Sequence, residues 1–348
     1  MNMIKNNKLK LWLEKRNRIL VFFFTIIVIV FMILIVDFRS LLLKISLIGI
    51  NGTLLFIIAY TSAFLFRSAK LKLIFKGLKH KIMFQTAYFT TGICFIVNDI
   101  TPGKFGELAK IVVIRDQEKL HLSESVCGIT IERVLDLVLL FIISCLAFFY
   151  LYINSYNENS AMIILGQNLQ LYLALGAIII TTILMVLFLL ISKTDVLLKI
   201  IGKFWIKLAD LLGKFIYNFK DGMKTFKKNQ KELIYVLLLG FITWLIDALI
   251  IVIFFYYLGY KINIIVLLLA VILVFFSKTF PITPGGWGIS ENIGALFIFV
   301  FYPQIPFIEI LAIFIIDHLF RSAYILFYGG YSIFHYNFKL KETRDIKL

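Results

Sequence analysis

Long apolar runs constrain the fold of this chain more than any other feature of its sequence. They lie at residues 19–36, 45–66, 128–152, 169–191, 233–258 and 307–334. Because about 20 apolar residues in a helix cross the hydrocarbon core of a bilayer, these runs predict transmembrane helices. Hydrophobic residues make up 61% of the chain, and its mean hydropathy is +0.95. We therefore predict an all-α integral membrane protein, a polytopic helix bundle, and exclude a soluble globular core.

The positions of lysine and arginine predict the side of the membrane on which each connecting segment lies. Most of these residues fall in segments 1–18, 67–81, 192–232 and 335–348, which the positive-inside rule assigns to the cytoplasm. This placement predicts a multi-pass protein of the cell membrane with both termini in the cytoplasm. The net charge of +16 then indicates contact with anionic lipid headgroups and no binding of nucleic acid.

The segment 192–232 is the most basic part of the sequence. Lys199, Lys203 and Lys207 recur every four residues within it, beside apolar side chains. This spacing predicts an amphipathic helix that lies in the headgroup plane on the cytoplasmic side. A solvated cytoplasmic linker is the alternative interpretation.

Two glycine-rich loops interrupt the apolar sequence between the predicted spans. One reads Thr101-Pro102-Gly103-Lys104-Phe105-Gly106-Glu107, and the other reads Thr283-Pro284-Gly285-Gly286-Trp287-Gly288-Ile289-Ser290-Glu291. Both contain Thr-Pro-Gly, one variable residue, an aromatic residue and a glycine, with a carboxylate soon after. The basic segments place both ends of each region on one face of the membrane, so each loop is predicted at the tip of a hairpin. Hydropathy alone leaves open whether the hairpin is re-entrant or consists of two short spans.

The two hairpins are predicted to enter from opposite faces, the first from the cytoplasm and the second from outside. Each has one span before it and one after it. We therefore predict two inverted-topology repeats, at about 45–152 and 233–334, within a single membrane domain at 19–334. Their loops would approach one another near mid-bilayer, where irregular backbone must be buried in protein or line a polar cavity.

Charged residues occur within or beside these apolar segments. They are Asp99, Lys104, Glu107, Glu132, Arg133, Asp136, Asp247, Lys278, Glu291, Asp317 and Arg321. An unpaired charge at the centre of a membrane helix costs about 2.5 to 3.5 kcal/mol, so these side chains must pair or line a wet cavity. A spacing of four places Glu132 near Asp136, and Asp317 near Arg321, on one helix face. Asp247 is predicted as a partner of Arg321 or Lys278.

These charges have two interpretations. They are either ion pairs that lock the repeats together or a site for a lipid headgroup, with arginine on the phosphate and carboxylates on an ammonium. The predicted substrate-binding residues are Lys104, Glu107, Glu132, Arg133, Asp136, Lys278, Glu291, Asp317 and Arg321. The predicted loop and hinge residues are Thr101, Pro102, Gly103, Gly106, Thr283, Pro284, Gly285, Gly286 and Gly288.

The glycine loops offer further chemistry. A half-helix that starts after each Pro-Gly would present free N–H groups to a phosphate, whereas a tight turn without a ligand is the alternative. Ser290 and His318 would suit an intramembrane serine protease, but the first loop has no counterpart of Ser290. No ATP-binding or metal-binding motif is present, and the three cysteines lack metal-ligand spacing, so we predict no metal and no cofactor.

Three stretches resemble a known family. Thr-Pro-Gly-Lys-Phe-Gly-Glu at 101–107, Glu132-Arg133 and Pro-Ile-Thr-Pro-Gly-Gly-Trp-Gly at 281–288 resemble the lysylphosphatidylglycerol synthase transmembrane-region family. This family is the flippase-like membrane part of the multiple peptide resistance factor, and the resemblance covers about 17–337. It implies movement of a modified phospholipid, typically an aminoacylated phosphatidylglycerol, between leaflets. Full-length members carry a soluble aminoacyl-transferase domain after the membrane region, whereas we predict a protein without that domain here, because only about a dozen residues follow the last predicted span.

The sequence therefore predicts a lipid translocase that moves an aminoacyl-phosphatidylglycerol or a glycolipid between leaflets. The alternative is a phosphatidylglycerol lysyltransferase, or the membrane partner of a separate soluble transferase. A lipid-scaffolding protein without transport is a third interpretation. The predicted partners are a phospholipid substrate and anionic headgroups at the cytoplasmic face, and a homo-oligomer is compatible with the sequence.

Overall fold

Helices form most of the structure. The computed structural model describes residues 37–101, 104–157, 163–164, 167–168, 229–278 and 283–336, with scattered positions between 198 and 228. The helices are α1 (Phe38–Gly77), α2 (Phe84–Ile100), α3 (Gly106–Glu118), α4 (Leu122–Asn157), α5 (Gln230–Tyr257), α6 (Ile264–Ser277), α7 (Ile289–Phe301) and α8 (Phe307–His335). Two short strands, β1 (Ile163–Ile164) and β2 (Gln167–Asn168), pair antiparallel.

Four of these helices are long and apolar enough to cross a bilayer. They are α1, residues 122–153 of α4, α5 and α8. They contain or closely match the predicted runs at 45–66, 128–152, 233–258 and 307–334, and this confirms a helical membrane protein. The runs at 19–36 and 169–191 lie outside the described residues, as do most of the amphipathic segment 192–232 and the tail at 337–348.

Helix α1 is longer than the sequence predicted. It begins at Phe38, and the backbone at Gly49 leaves the helical conformation (φ 60°, ψ −169°), which marks a kink. The helix then continues to Gly77 and includes part of the basic segment that was predicted as a connecting loop. Lys70, within that segment, is buried. The reason is a carboxylate on another helix that pairs with Lys70, as described below.

Each glycine loop lies between two short helices. Helices α2 and α3 have 17 and 13 residues, and α6 and α7 have 14 and 13. At 1.5 Å per residue these helices are roughly 20 to 26 Å long. A single turn of 3₁₀ helix, Pro284–Gly286, lies within the second loop. Of the first loop, Pro102 and Gly103 lie outside the described residues.

The chain divides into two compact units, each built from separate stretches of sequence. Of the described residues, those within 37–60, 92–109 and 247–335 form the first unit. Those within 61–91 and 110–246, with residue 336, form the second unit. Both predicted repeats contribute to both units, so neither unit corresponds to one repeat.

A group of aromatic rings packs together within the first unit. Phe56 of α1 packs against Phe320 of α8 and Phe254 of α5, with ring centroids 5.4 Å and 5.8 Å apart. Tyr60, one turn after Phe56, packs against Tyr324 at 5.0 Å. These contacts join α1, α5 and α8, and aromatic pairs of this geometry contribute about 0.5 to 1.5 kcal/mol each beyond the burial of their area.

Polar contacts fix the connection between α5 and α6 in the same unit. The Tyr260 hydroxyl donates to Glu309 Oε2 at 3.0 Å, and Lys44 Nζ lies 2.8 Å from the same oxygen. Burial of the ring, and then the bond to Glu309, raises the pKa of Tyr260, so the phenol stays a donor. Asn263 accepts the Ile265 N–H at 2.8 Å and so caps the start of α6.

The buried cluster of the second unit is mostly aliphatic, with one phenylalanine. Ile74, Ile131, Leu135, Phe226 and Val236 are buried together in one cluster. These residues come from α1, α4 and α5 and from a position just before α5. The core therefore places α1 next to α4, which is the arrangement that the charged residues of this unit require.

We expect Gly106→Ala to destabilise the protein. A Cβ at position 106 would lie 2.0 Å from the Cys94 carbonyl oxygen, so α3 could not start this close to α2. Overpacking of this kind costs typically 1 to 3 kcal/mol. Gly330→Ala is the matched control, because a Cβ there meets nothing within 4 Å. Thermal unfolding in detergent should show a lower midpoint for Gly106→Ala alone, and equal midpoints would contradict this packing of α2 and α3.

Candidate functional site

Charged side chains from five elements converge in the first unit. They come from α2, α5, the end of α6, α7 and α8, and we call them the acidic cluster. Its members are Asp99, Asp247, Lys278, Glu291, Asp317, His318 and Arg321. With His318 neutral, four carboxylates face two cations. The cluster then has a formal charge of −2 among the described residues.

Arg321 links two carboxylates within this cluster. Its Nε lies 2.8 Å and 3.0 Å from the two carboxylate oxygens of Asp317, one turn earlier on α8. Its two terminal nitrogens donate to the side chain and the backbone carbonyl of Asp247, both at 3.1 Å. The guanidinium also lies over the Tyr60 ring, 5.1 Å from its centroid. The predicted pair of Asp317 with Arg321 is confirmed, as is Asp247 as a partner of Arg321.

His318 occupies the centre of the other half of the acidic cluster. Its Nδ1 is hydrogen-bonded to the Glu291 carboxylate, and its Nε2 lies 3.4 Å from Lys278 Nζ. Asp99 Oδ1 is 3.9 Å from the same Nε2. The Trp287 ring stacks on the imidazole with centroids 3.9 Å apart and planes 5° apart. His318 is thus held on both ring nitrogens and on one ring face.

The serine-protease interpretation does not match this geometry. The Ser290 hydroxyl lies 3.0 Å from the Gly286 carbonyl oxygen and 3.0 Å from Glu291 Oε1, and it is buried. His318 is hydrogen-bonded to Glu291 and not to Ser290. A nucleophilic dyad requires the serine hydroxyl within hydrogen-bond reach of the imidazole and open to a substrate.

The second glycine loop supplies the carboxylate and the indole that hold His318. Glu291 Oε2 accepts the Gly288 N–H at 2.7 Å and so caps the start of α7. This contact places a carboxylate at the positive end of the helix, where the sequence had suggested a phosphate. Gly285 and Gly286 have φ of 63° and 80°, which favours glycine. A Cβ on Gly285 would lie 2.8 Å from Asp99 Oδ1.

The first glycine loop is held by contacts with α2 and α6. The Gly106 N–H donates to Asn98 Oδ1 at 2.8 Å, and the Thr101 hydroxyl donates to the Val97 carbonyl at 2.5 Å. Lys104 has a φ of 53° and places its ammonium over Phe275, 5.0 Å from the ring centroid. Glu107 lies in the first turn of α3 and is half-buried. Of the predicted binding residues in this unit, Lys278, Glu291, Asp317 and Arg321 lie in the acidic cluster, and Lys104 and Glu107 lie in this loop.

The second unit holds a cluster with the opposite formal charge, which we call the basic cluster. Lys110 Nζ lies 3.0 Å and 2.7 Å from the two oxygens of Glu132. Lys70 pairs with Asp136. Arg133 lies between the two carboxylates, 3.1 Å from Glu132 Oε1 and 3.5 Å from Asp136 Oδ2. Three cations therefore face two carboxylates, and Arg133, at 32% side-chain exposure, is the most exposed of the three.

Sequence reasoning found the carboxylates of the basic cluster but missed two of its cations. The sequence predicts a cytoplasmic segment at Lys70, because this residue lies among other basic residues. Lys110 follows Ala109 and precedes Ile111-Val112-Val113, and this apolar context was a signal that could have identified it. The predicted binding residues include neither His318 nor Asp99, although both lie in the acidic cluster.

We expect Lys110→Met to destabilise the protein by about 3 to 5 kcal/mol, because it removes the closest partner of a buried carboxylate. Adding Glu132→Gln to Lys110→Met should recover most of the loss, since the uncompensated charge is then gone. Lys224→Met is the control, because the pair of Lys224 with Asp221 is exposed. Denaturant unfolding in mixed micelles measures all three variants. A double variant that is as unstable as Lys110→Met would contradict the pairing.

Comparisons with known proteins agree with the helical membrane architecture. The family described as lysylphosphatidylglycerol synthase TM region matches residues 18–329. A UPF0104 membrane protein of Methanocaldococcus jannaschii is 24% identical over 238 residues, which are 65% of this chain and 68% of that protein. No solved structure matches the chain. The match to the family spans most of the sequence, and the chain belongs to the lysylphosphatidylglycerol synthase TM region family.

Proposed function

We propose that this protein moves a phospholipid with a charged headgroup between the two leaflets of the membrane. The observation that carries the proposal is an apolar groove beside the acidic cluster in the first unit. The groove has a volume of about 740 Å³ and runs between α1 and α8. It is lined by Thr53, Phe56, Ile57, Leu319, Phe320, Ala323, Tyr324, Phe327, Tyr328 and Tyr331.

Aromatic side chains connect the groove to the acidic cluster. The Arg321 guanidinium lies 5.1 Å from the Tyr60 ring, and Tyr60 packs against Tyr324, which lines the groove. A ligand that occupies both the groove and the acidic cluster must carry an apolar end and a charged end. A phospholipid has this composition, and the groove volume is in the range of about 300 to 1,000 Å³ that ligand pockets have.

The formal charges of the two clusters indicate the headgroup. The excess negative charge of the acidic cluster would attract an ammonium group. The excess positive charge of the basic cluster, with Arg133 partly exposed, would attract a phosphate, which arginine binds in bidentate fashion. Aminoacyl-phosphatidylglycerol carries both an ammonium group and a phosphate, and membership of the family supports this substrate class.

The lengths of the short helices support re-entrant hairpins. Helices α6 and α7, at 14 and 13 residues, span roughly 20 Å each, which is less than the hydrocarbon thickness of about 30 Å. We infer that each glycine loop ends a hairpin part-way through the bilayer, within two inverted repeats. Transport folds of this kind bind their substrates at such broken helices and expose them alternately to the two faces.

Lipid synthesis is the second candidate function, since the family is described by the name of a lysylphosphatidylglycerol synthase. A transferase, or the membrane partner of a separate transferase, would also need a lipid site of this kind. Expression of this chain alone in a strain without aminoacyl-lipids decides between lipid synthesis and lipid movement. Appearance of the aminoacyl-lipid would support a transferase, and its absence together with transport would support the translocase.

Lipid movement is tested with purified protein in liposomes that contain a fluorescent lysyl-phosphatidylglycerol or a glycolipid. An impermeant quencher reports the fraction of probe in the outer leaflet. We expect the protein to expose the inner-leaflet probe to the quencher faster than empty liposomes do. Arg321→Gln should slow this exposure at least tenfold, because the substitution removes the charge that holds Asp317 and Asp247 in place.

The groove is tested separately with Ala323→Trp, which fills it. Leu326→Trp on the exposed face of the same helix is the matched control, and Lys224→Gln is the control for a lost surface charge. We expect slow transport in Ala323→Trp and wild-type transport in both controls. No acceleration over empty liposomes with any headgroup would contradict the translocase. Wild-type rates in both Arg321→Gln and Ala323→Trp would contradict this site.

A further inference from the structure

Lys278, His318 and Glu291 form a line of contacts inside the first unit. His318 is 4% exposed and Glu291 is 2% exposed. One imidazole nitrogen is bonded to the Glu291 carboxylate, and the other lies 3.4 Å from the ammonium nitrogen of Lys278. Buried ionisable chains of this kind in membrane helices are typical of proton pathways.

The contact between Lys278 and His318 fixes how many protons the two side chains can hold. A lysine ammonium has three donors and no acceptor, so it can bond to His318 Nε2 only if that nitrogen has a free lone pair. The imidazole is then neutral and donates its Nδ1–H to Glu291. If the imidazole is charged, both of its nitrogens are donors, and Lys278 must be a neutral amine. The two nitrogen bases therefore share one proton in this geometry.

A second proton would change the geometry. It would place two cations 3.4 Å apart at Lys278 and His318, so the side chains would have to separate. The surrounding negative charges favour binding of this second proton. Asp99 from α2 lies 3.9 Å from His318 Nε2, while Asp317 and Asp247 are held by Arg321. The acidic cluster has a formal charge of −2 before the proton binds and −1 after it.

A proton suits these ligands better than a hard metal cation does. Sodium, calcium and magnesium bind oxygen ligands, whereas the position between Lys278 and His318 is flanked by two nitrogen bases. Each nitrogen can accept or give up a proton, and His318 also lies beside the carboxylates of Glu291 and Asp99. The chemistry of the position is therefore that of proton exchange.

The same contacts hold the second glycine loop. Glu291 accepts the Gly288 N–H at 2.7 Å as well as the proton of His318, and Trp287 stacks on the imidazole. A proton that moves from His318 onto Glu291 would neutralise the carboxylate and weaken both of its contacts. Protonation would therefore change how this loop is held against α8.

We propose that Lys278, His318 and Glu291 are a proton-binding site, and that proton binding there is coupled to lipid movement. The proton-binding part is independent of the proposed function, whereas the coupling rests on it. The groups that face the site are Asp99 from α2, Asp247 from α5, and Asp317 and Arg321 from α8.

Proton binding is measured directly by nitrogen NMR of protein labelled on its imidazoles, in detergent, between about pH 5 and pH 8. The His318 signal is assigned by its loss in His318→Gln, and His335→Gln on the same helix is the control. At high pH we expect the signal of a neutral imidazole with its proton on Nδ1. At low pH we expect either the signal of an imidazolium or a signal shifted by protonation of Glu291. A signal that stays unchanged over the whole range would overturn the proton-binding site.

Coupling is measured as the equilibrium distribution of the lipid probe across liposomes with a pH gradient of about one unit. The measured quantity is the ratio of lipid probe in the two leaflets. If one proton moves with each lipid, a gradient of one pH unit should change this ratio up to about tenfold in the wild type relative to His318→Gln. Titration of the probe itself affects both proteins equally. Because an equilibrium ratio does not depend on rate, a slower variant still reports it. His335→Gln should match the wild type.

The outcomes separate the two proposals. Equal ratios in wild type and His318→Gln, with an NMR titration, would overturn the coupling and leave lipid movement intact. Absence of protein-dependent lipid movement in all variants would overturn the proposed function, and the NMR titration would still decide the proton-binding site.

Discussion

The cost of a charge inside hydrocarbon governs this structure. A chain this apolar still places more than ten charged residues in or beside its membrane helices, and each would cost several kcal/mol if it faced lipid alone. The clusters in the two units meet this cost by pairing. Lys110 with Glu132 and Arg321 with Asp317 are examples in which two or more bonds hold one pair. Pairing is incomplete in formal charge, however, because one cluster retains excess negative charge and the other excess positive charge.

The glycine loops and the charges are parts of one arrangement in the first unit. Gly285 allows Asp99 to approach the loop backbone, and Glu291 at the end of the loop reaches His318 on α8. A side chain at position 285 would displace Asp99, and a different loop conformation would move Glu291 away from the imidazole. The backbone conformation therefore determines which charges meet, and the charges in turn stabilise irregular backbone where hydrogen bonds from water are scarce.

Local features of the site could be predicted from the sequence, and tertiary ones could not. Asp317 and Arg321 are one helical turn apart, so their pairing follows from spacing alone. The two loops, each between short helices, follow from their proline and glycine residues. The partners of Glu132 and Asp136 are 22 and 66 residues distant. The apolar residues around Lys110 indicate that it is buried, but no local pattern shows which carboxylate it or Lys70 pairs with. The division into two units, each built from several stretches, likewise depends on packing between helices that are far apart in sequence.

The proposed lipid movement requires the groove between α1 and α8 to hold one lipid chain next to the acidic cluster. Photo-cross-linking with a phospholipid that carries a diazirine in its acyl chain shows whether the groove does so. We predict labelling of Phe327 and Tyr331 that unlabelled aminoacyl-lipid reduces by competition, while Leu47 and Leu146, which are exposed elsewhere, are labelled without competition. Labelling that is equal at all four residues and insensitive to competitor would contradict a specific lipid site.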